Sequence, residues 1–367
     1  MKLGFGLYRH MLDDAHFAFA RQCGATHVVV HMCDYFRGND QTSRADQPVG
    51  DGSGWGIAEG RVWEVNELVA IRDAMAAYGL TFYAIENFDP ALWSDILFDG
   101  PRRDIQMENV KQLIRNVGAA GIQVFGYNFS LAGVAGRVTS NAARGGAPSV
   151  GLDGPNAITQ SPLPASMAWN MVVDPDAGGL RPTLTTEALW ANLQWFLDRI
   201  LPVAEEAGVR MAAHPDDPPL PTVRQQPRLV YQPQLYQRLV DLGASPANAL
   251  EFCVGTVAEM AEGDVYKTVD LHARQGRIAY VHLRNVRGRV PHYHETFIDE
   301  GDVDVPRVIE VLRAAKFDGV IVPDHAPQMT CGAPWHAGMA FSMGYINALM
   351  GPGIAALPSR SGANIRS

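Results

Sequence analysis

The segment Ile321-Val-Pro-Asp-His325 joins a short apolar run directly to two ionisable residues. Gly319 and Val320 precede it, so we predict a buried strand over Gly319–Pro323 that carries Asp324 and His325 at its carboxyl end. The same order of apolar run and polar end recurs along the chain. The segment therefore predicts the last strand of an α/β barrel, with two reactive groups at the barrel mouth.

Short apolar runs alternate with amphipathic helical stretches along most of the 367 residues. The runs are almost continuously apolar, which is typical of parallel strands that are covered on both faces. Eight β-then-α units predict a (β/α)8 TIM barrel. The predicted strands are Leu3–Tyr8, Thr26–Met32, Leu80–Glu86, Ile122–Phe129, Arg210–His214, Ala249–Gly255, Ile278–Leu283 and Gly319–Pro323. The predicted helices are Asp13–Cys23, Val65–Tyr78, Asp104–Ala119, Glu187–Ala207, Tyr231–Leu242, Val257–Arg274, Val305–Ala315 and Ala337–Met350.

Two segments rich in turn-forming and polar residues interrupt this alternation. We expect residues 35–62 and 131–183 to form long loop insertions after the second and fourth strands of one barrel domain, residues 1–350. Residues 351–367 then form a C-terminal tail. The alternative fold is a doubly wound sheet, but its nucleotide fingerprint is missing because Gly4-Phe-Gly6-Leu-Tyr-Arg9 lacks the third glycine.

Composition and charge exclude several classes of protein. A hydrophobic content of 47% supports a large buried core, and a net charge of −9 argues against a nucleic-acid or anionic-membrane surface. No apolar run is long enough for a transmembrane helix, and Arg9 and His10 come too early for a signal peptide. The four cysteines show no C-x-x-C spacing. We therefore expect a cytoplasmic protein that acts on a small molecule.

The predicted strand ends are unusually polar, and catalytic residues of a TIM barrel lie at these ends. Each residue alone has an ordinary structural interpretation, such as a buried thiol or a capping carboxylate. Together, however, imidazole, thiolate and carboxylate suit Mn²⁺, Fe²⁺ or Zn²⁺ better than Mg²⁺ or Ca²⁺. The predicted ligands of one divalent metal end the last four strands and are His214, Cys253, His282 and Asp324.

Several motifs resemble those of the mannonate dehydratases, a family of the xylose-isomerase-like barrel superfamily. They are His214-Pro-Asp-Asp-Pro-Pro219, Phe252-Cys253-Val-Gly255, His282-Leu-Arg-Asn285, Gly301-Asp-Val-Asp304 and Pro323-Asp-His325. The resemblance extends over nearly the whole chain, in order. It implies a xylose-isomerase-like barrel, a divalent metal that is usually Mn²⁺ or Fe²⁺ on the same four ligands, and dehydration of a sugar acid to a 2-keto-3-deoxy acid.

This reaction removes the proton next to a carboxylate and expels a hydroxyl group as water. It needs a metal to take up charge on the carboxylate, a base for the proton and an acid for the hydroxyl. We expect catalytic roles for His325, Asp324 and Arg284, with His325 as the acid/base. The expected substrate-binding residues are Tyr8, Glu86, Asn128, Asp216 and Asn285.

The residues around the last strand depart from the family pattern. The family commonly carries an arginine two residues before the aspartate, where this chain has Val322, and Gly-Arg after the histidine, where it has Ala326-Pro327. A carboxylate prefers a bidentate arginine. The metal ligands are therefore retained while the residues that would read the substrate differ.

Two other hypotheses remain open. One is a sugar isomerase or epimerase of the same superfamily, which a substrate without a carboxylate would favour. The other is a metal-bearing protein without catalysis, against which His325 argues because a structural metal site needs no acid/base beside it. From the family and the apolar final helix we also expect a homo-oligomer.

Overall fold

Eight parallel strands close into a barrel in the computed structural model, which describes residues 1–38 and 54–351. The strands are Lys2–Tyr8, His27–His31, Thr81–Glu86, Val124–Tyr127, Arg210–Ala213, Asn248–Cys253, Ile278–His282 and Val320–Val322. The last strand pairs with the first, Lys2 against Val320 and Leu3 against Ile321. The prediction of a (β/α)8 barrel is confirmed, and the doubly wound alternative is wrong because that sheet would stay open.

Helices follow the strands and pack against their outer faces. The α-helices are Asp14–Gln22, Val65–Ala76, Pro90–Phe98, Arg103–Ala119, Ala157–Gln160, Thr186–Ala207, Pro233–Asp241, Val254–Glu259, Val265–Arg274, Val305–Ala314 and Pro334–Met350, and the 3₁₀-helices are Arg9–Met11 and Arg144–Gly146. Local chemistry sets several ends: the Thr185 side chain accepts from the amide of Ala188, and Gly208 ends the same helix at a φ of 68°. None of the described helices has the length and apolar character that crossing a membrane requires.

Two helix predictions need correction. The single helix predicted over Val257–Arg274 is two helices, because the Asp264 side chain caps the second one by accepting from the amides of Tyr266 and Lys267. The helix Pro90–Phe98 lies in a segment where we predicted none. Its sequence signal is the pair Asp89-Pro90, a capping residue followed by proline in the first turn.

The insertion predicted over 131–183 contains strands as well as loops. Val138–Ala143 and Ala147–Asp153 pair with each other, and the second pairs with the hairpin Asn285–Arg289 and His292–Thr296. We call this four-stranded antiparallel sheet the cap sheet. The sequence did not indicate it because its outer strand is exposed at nearly every position and lacks the alternation of a half-buried strand.

Smaller elements complete the described structure. The two-stranded pairs are Met167–Ala168 with Met171–Val172 and Thr222–Val223 with Gln226–Pro227. Residues 39–53 of the first predicted insertion, and the predicted tail from residue 352 onward, lie outside the described residues.

The barrel interior has small side chains on several strands, which leaves room for polar groups in its upper part. Ala84, Ala212 and Ala249 belong to the buried interior cluster. Gly126 adds to this room, because a Cβ at this position would displace the Glu251 carboxylate and the Tyr280 hydroxyl. The main hydrophobic core lies between the strands and the surrounding helices.

Candidate metal centre and active site

Three predicted metal ligands meet at the carboxyl ends of neighbouring strands. One donor atom each of His214, Cys253 and His282 lies within 4.8 Å of the others. Asp324 lies beside them, with Oδ2 3.7 Å from Cys253 Sγ and Oδ1 3.7 Å from His282 Nδ1. His214 Nδ1 is 2.7 Å from the Pro215 carbonyl oxygen, a contact that leaves Nε2 as the available donor. The barrel thus gathers two imidazoles, a thiol and a carboxylate.

The hydrogen bonding of His282 supports a metal ion at this point. Its Nδ1 is buried without a hydrogen-bond partner among the described residues. The other ring nitrogen, Nε2, lies 3.3 Å from Glu86 Oε2 and 3.4 Å from Glu251 Oε1. Ligating histidines commonly turn their second nitrogen to a carboxylate, and a buried nitrogen without a partner is costly. The donor set therefore fits a first-row divalent ion.

The electrostatic surroundings favour the ligating form of Cys253. Burial opposes ionisation of the thiol, but Arg284 and the neighbouring histidines His214 and His282 lower the pKa of Cys253 to about 6. Thr256 adds its amide at 3.4 Å and its hydroxyl at 3.1 Å from Sγ. Since thiolate is the form that binds metals, the site presents a soft anionic ligand at neutral pH.

Two glutamates, Glu86 and Glu251, lie on the Nε2 side of the His282 ring. Glu251 is fully buried, and burial together with Glu86 raises the pKa of Glu251 to about 8. Burial also opposes ionisation of Glu86, but His31 and His282 lower the pKa of Glu86 to about 2. Near neutral pH the pair therefore carries about one negative charge, which faces the ring of His282.

Arg284 lies behind the metal ligands and is 1% exposed. Its Nε donates to Asp324 Oδ2 at 2.9 Å and its Nη2 to Asp217 Oδ2 at 2.8 Å. Its Nη1 pairs with Glu259 and lies 3.3 Å from Glu295 Oε1. Arg284 does not line the pocket. No contact with the pocket therefore supports the expected catalytic role of Arg284, and its contact with Asp324 is that of a residue which positions the carboxylate.

The pocket above the ligands has an aromatic side and a polar side. Its lining residues are His31, Tyr35, Glu86, Asn87, Asn128, Val134, Trp169, His214, Asp217, His282, Asp324 and His325. Tyr35 stacks on Trp169 at 5.7 Å between ring centroids. Trp169 Nε1 donates to Asn128 Oδ1 at 3.0 Å, and Asn128 Nδ2 donates to the Pro215 carbonyl at 2.9 Å. Two of the expected substrate-binding residues, Glu86 and Asn128, are thus at the pocket.

The structure does not bring Asp216 to the pocket. Its carboxylate accepts from Arg228 Nη1 at 2.8 Å and from the amides of Leu229 and Val230, so it holds a neighbouring loop. Its neighbour Asp217 lines the pocket instead. The expected role of Asp216 in substrate binding is therefore better suited to Asp217, the next residue along the chain.

Asn285 and Tyr8 also lie outside the pocket lining. Asn285 Nδ2 donates to the carbonyls of Ile298 and Val303, each at 2.9 Å, so its expected role in substrate binding is wrong. Tyr8 stacks on His31 with 4.5 Å between ring centroids. It therefore supports a pocket residue from behind.

Sequence reasoning missed several residues of this site. Glu295 Oε1 lies 2.8 Å from His325 Nδ1, but it belongs to a hairpin that the sequence presented as a polar loop. Glu251 had a signal, since a glutamate inside an apolar strand two residues before Cys253 must face the barrel interior beside it. Asp217 stood next to a predicted residue.

The chain matches the family model of D-mannonate dehydratase (UxuA) over residues 1–147 and 180–350. It belongs to the mannonate dehydratase family. It is therefore an enzyme of the hydro-lyase class. The mannonate dehydratase of Streptococcus suis (strain 05ZYH33) is 31% identical over 299 residues, which cover 73% of this chain and 76% of that protein. That of Lactococcus lactis subsp. cremoris (strain MG1363) is 29% identical over 295 residues, covering 73% and 80%.

Solved structures agree with this family. The crystal structure of the mannonate dehydratase from Streptococcus suis serotype 2 has a TM-score of 0.75 and 27% identity, covering 95% of this chain and 94% of that one. The 3-keto-D-glucoside 4-epimerase YcjR from E. coli has a TM-score of 0.56 at 11% identity, covering 95% and 99%, which shows a shared fold alone. The resemblance to the mannonate dehydratases and the xylose-isomerase-like barrel are thus confirmed. Residues 148–179, which include Trp169 of the pocket wall, fall outside the family match.

Proposed function

We propose that this enzyme removes water from a sugar acid such as D-mannonate and gives the 2-keto-3-deoxy acid, with one divalent metal ion per chain. One observation carries the proposal. The imidazole of His325 and the donor groups of His214, Cys253, His282 and Asp324 occupy one end of the barrel around one pocket.

The metal would be held by those four donor groups, and we expect Mn²⁺ or Fe²⁺ ahead of Zn²⁺. When bound, the ion supplies positive charge that stabilises the charge developing on the substrate carboxylate as the neighbouring proton leaves. Glu86 and Glu251 face the ring of His282 and support its orientation.

His325 is the proposed acid/base. Its Nδ1 lies 2.8 Å from Glu295 Oε1, and its Nε2 lies 3.3 Å from Asp324 Oδ1 at the edge of the pocket. A proton exchanged at Nε2 serves the elimination, in which C2 loses a proton and C3 loses its hydroxyl as water. The resulting enol becomes the 2-keto acid by tautomerisation.

We propose that amide side chains bind the hydroxyl groups of the substrate and that the aromatic side of the pocket contacts its open carbon chain. Asn87 lines the pocket, and its Oδ1 is buried without a hydrogen-bond partner among the described residues. Its Nδ2 donates to the Tyr35 hydroxyl at 3.1 Å, which fixes the amide. A substrate hydroxyl that donates to Oδ1 would satisfy this acceptor.

One observation favours the second candidate, a sugar isomerase or epimerase. Within the described parts of the chain, neither arginine nor lysine lines the pocket. This agrees with the sequence, which has Val322 where the family commonly carries an arginine and Ala326-Pro327 where it commonly carries Gly-Arg. A substrate carboxylate would then depend on the metal and the histidines, whereas a neutral hydroxy-ketone would need no guanidinium.

The deciding experiment is an incubation of the metal-loaded enzyme with a panel of aldonic acids and ketoses. We expect a 2-keto-3-deoxy acid from at least one aldonic acid, detected by its mass and by its keto group, and none from the His325→Ala enzyme. Isomerised sugar without loss of water would instead support the second candidate. Light scattering on the same sample tests the expected homo-oligomer.

A substitution at Asn87 tests the proposed substrate contact. Asn87→Ala should raise KM about tenfold and change kcat less, because one hydrogen bond of about 1–1.5 kcal/mol to a non-reacting hydroxyl is lost. Steady-state kinetics on the best aldonic acid measures this. Asn141→Ala, an exposed amide on the cap sheet, is the control and should match the unchanged enzyme. An unchanged KM in Asn87→Ala would contradict the contact.

A further inference from the structure

The cap sheet contributes a carboxylate to the active site. Glu295 lies on its strand His292–Thr296 and is 3% exposed. Its Oε1 is 2.8 Å from Nδ1 of His325, a residue that follows the last barrel strand. The contact joins two elements that are far apart along the chain, so it exists only because the cap sheet is docked on the barrel mouth.

Strand alternation explains why Glu295 points inward. Tyr293 and Glu295 are buried on one face of the strand, whereas His292, on the other face, is exposed and pairs with Asp153 at 2.9 Å. The Tyr293 hydroxyl donates to Asp217 Oδ1 at 3.1 Å. Two successive inward residues of the strand therefore contact groups around the pocket.

Two buried guanidinium groups lie beside the Glu295 carboxylate. Arg284 Nη1, from the barrel, lies 3.3 Å from Oε1, and Arg137 Nη1, just before the first strand of the cap sheet, lies 3.8 Å from it. Both guanidinium groups are buried. A buried carboxylate beside two cations is favoured in its charged form, and it can orient the ring that it contacts in the way that the third member orients the base in a catalytic triad.

We propose that Glu295 is the positioning residue of the acid/base His325, so that the cap sheet supplies one half of a dyad that the barrel completes. When Glu295 accepts a hydrogen bond from Nδ1 of His325, it keeps the proton on that nitrogen. Nε2, on the other side of the ring, is then the nitrogen that exchanges a proton at the pocket. The inference rests on the proposed role of His325. It goes beyond that role in assigning a function to a sheet that the sequence presented as loops.

The test is a kinetic comparison of Glu295→Gln and Glu295→Asp with His325→Ala in the metal-loaded enzyme. We expect Glu295→Gln to lower kcat about a hundredfold, within the range of acid/base contributions, while KM changes less than about twofold. Glu295→Asp should recover part of the loss.

Controls separate positioning from folding and from the proposed function. His292→Ala, on the exposed face of the same strand, should keep full activity, and all variants should keep their metal content and remain folded at the assay temperature. If Glu295→Gln keeps its kcat while His325→Ala is inactive, the positioning role is overturned and the proposed function stands. Full activity in His325→Ala would overturn the acid/base assignment itself, and the dyad with it.

Discussion

Replacing Cys253 by serine is expected to remove the bound metal ion and to slow dehydration about a thousandfold. The thiolate lies within 4.8 Å of both ligand histidines and 3.7 Å from Asp324 Oδ2. A serine hydroxyl stays neutral at pH 7 and is a weaker ligand than a thiolate for a first-row divalent ion. Loss of several kcal/mol of charge stabilisation corresponds to a rate loss of that order.

Elemental analysis of the purified variants measures this effect directly. We expect about one Mn, Fe or Zn per chain in the unchanged enzyme, well below one in Cys253→Ser, and the same loss in His214→Ala. Cys331→Ser is the matched control because this cysteine is exposed and is not one of the proposed ligands. Undiminished metal in both ligand variants would refute the proposed centre.

Replacing Arg284 by methionine is expected to lower the free energy of unfolding by about 3–5 kcal/mol, because it leaves buried carboxylates without their cation. Arg284 contacts Asp217, Asp324 and Glu259, all within hydrogen-bonding distance. Methionine keeps much of the length and apolar volume of the side chain. The loss therefore reports the uncompensated negative charge more than a cavity.

Urea unfolding followed by circular dichroism, with the same metal supplied to each variant, gives the comparison. Arg274→Met is the control, since Arg274 pairs with Asp270 at 2.8 Å on the surface and its side chain is 56% exposed. Solvent screens such a pair, so its removal should leave the free energy of unfolding almost unchanged. Equal free energies of unfolding in the Arg284 and Arg274 variants would contradict the expected cost of leaving the buried carboxylates unpaired.

The convergence of the proposed metal ligands could be predicted because each lies at, or within two residues of, the end of a barrel strand. Apolar periodicity locates such ends to within a few residues, and the barrel makes neighbouring ends converge. The direction of a side chain is a finer question, as Asp216 and Asp217 illustrate. Both follow the same strand, but Arg228 and two backbone amides hold the Asp216 carboxylate, whereas Asp217 lines the pocket.

The roles of Arg284 and Glu295 could not be predicted in this way. Arg284 follows its strand end by two residues, which is the position of a substrate-binding group, and yet its guanidinium is buried against Asp324, Asp217 and Glu259 and does not line the pocket. Glu295 stands in a hairpin whose polar composition indicated a solvated loop. In both cases the deciding contacts come from segments that are remote along the chain.

The sequence by itself determined the eight-stranded barrel, the family and the set of residues from which the proposed metal centre is built. These depend on local periodicity and on residue types at strand ends, which are written in consecutive positions. Only the tertiary structure decided that Asp217 lines the pocket, that Arg284 is buried and donates to Asp324, and that the cap sheet brings Glu295 to His325. Those are long-range contacts between buried charges, and their geometry is set by how separate segments pack.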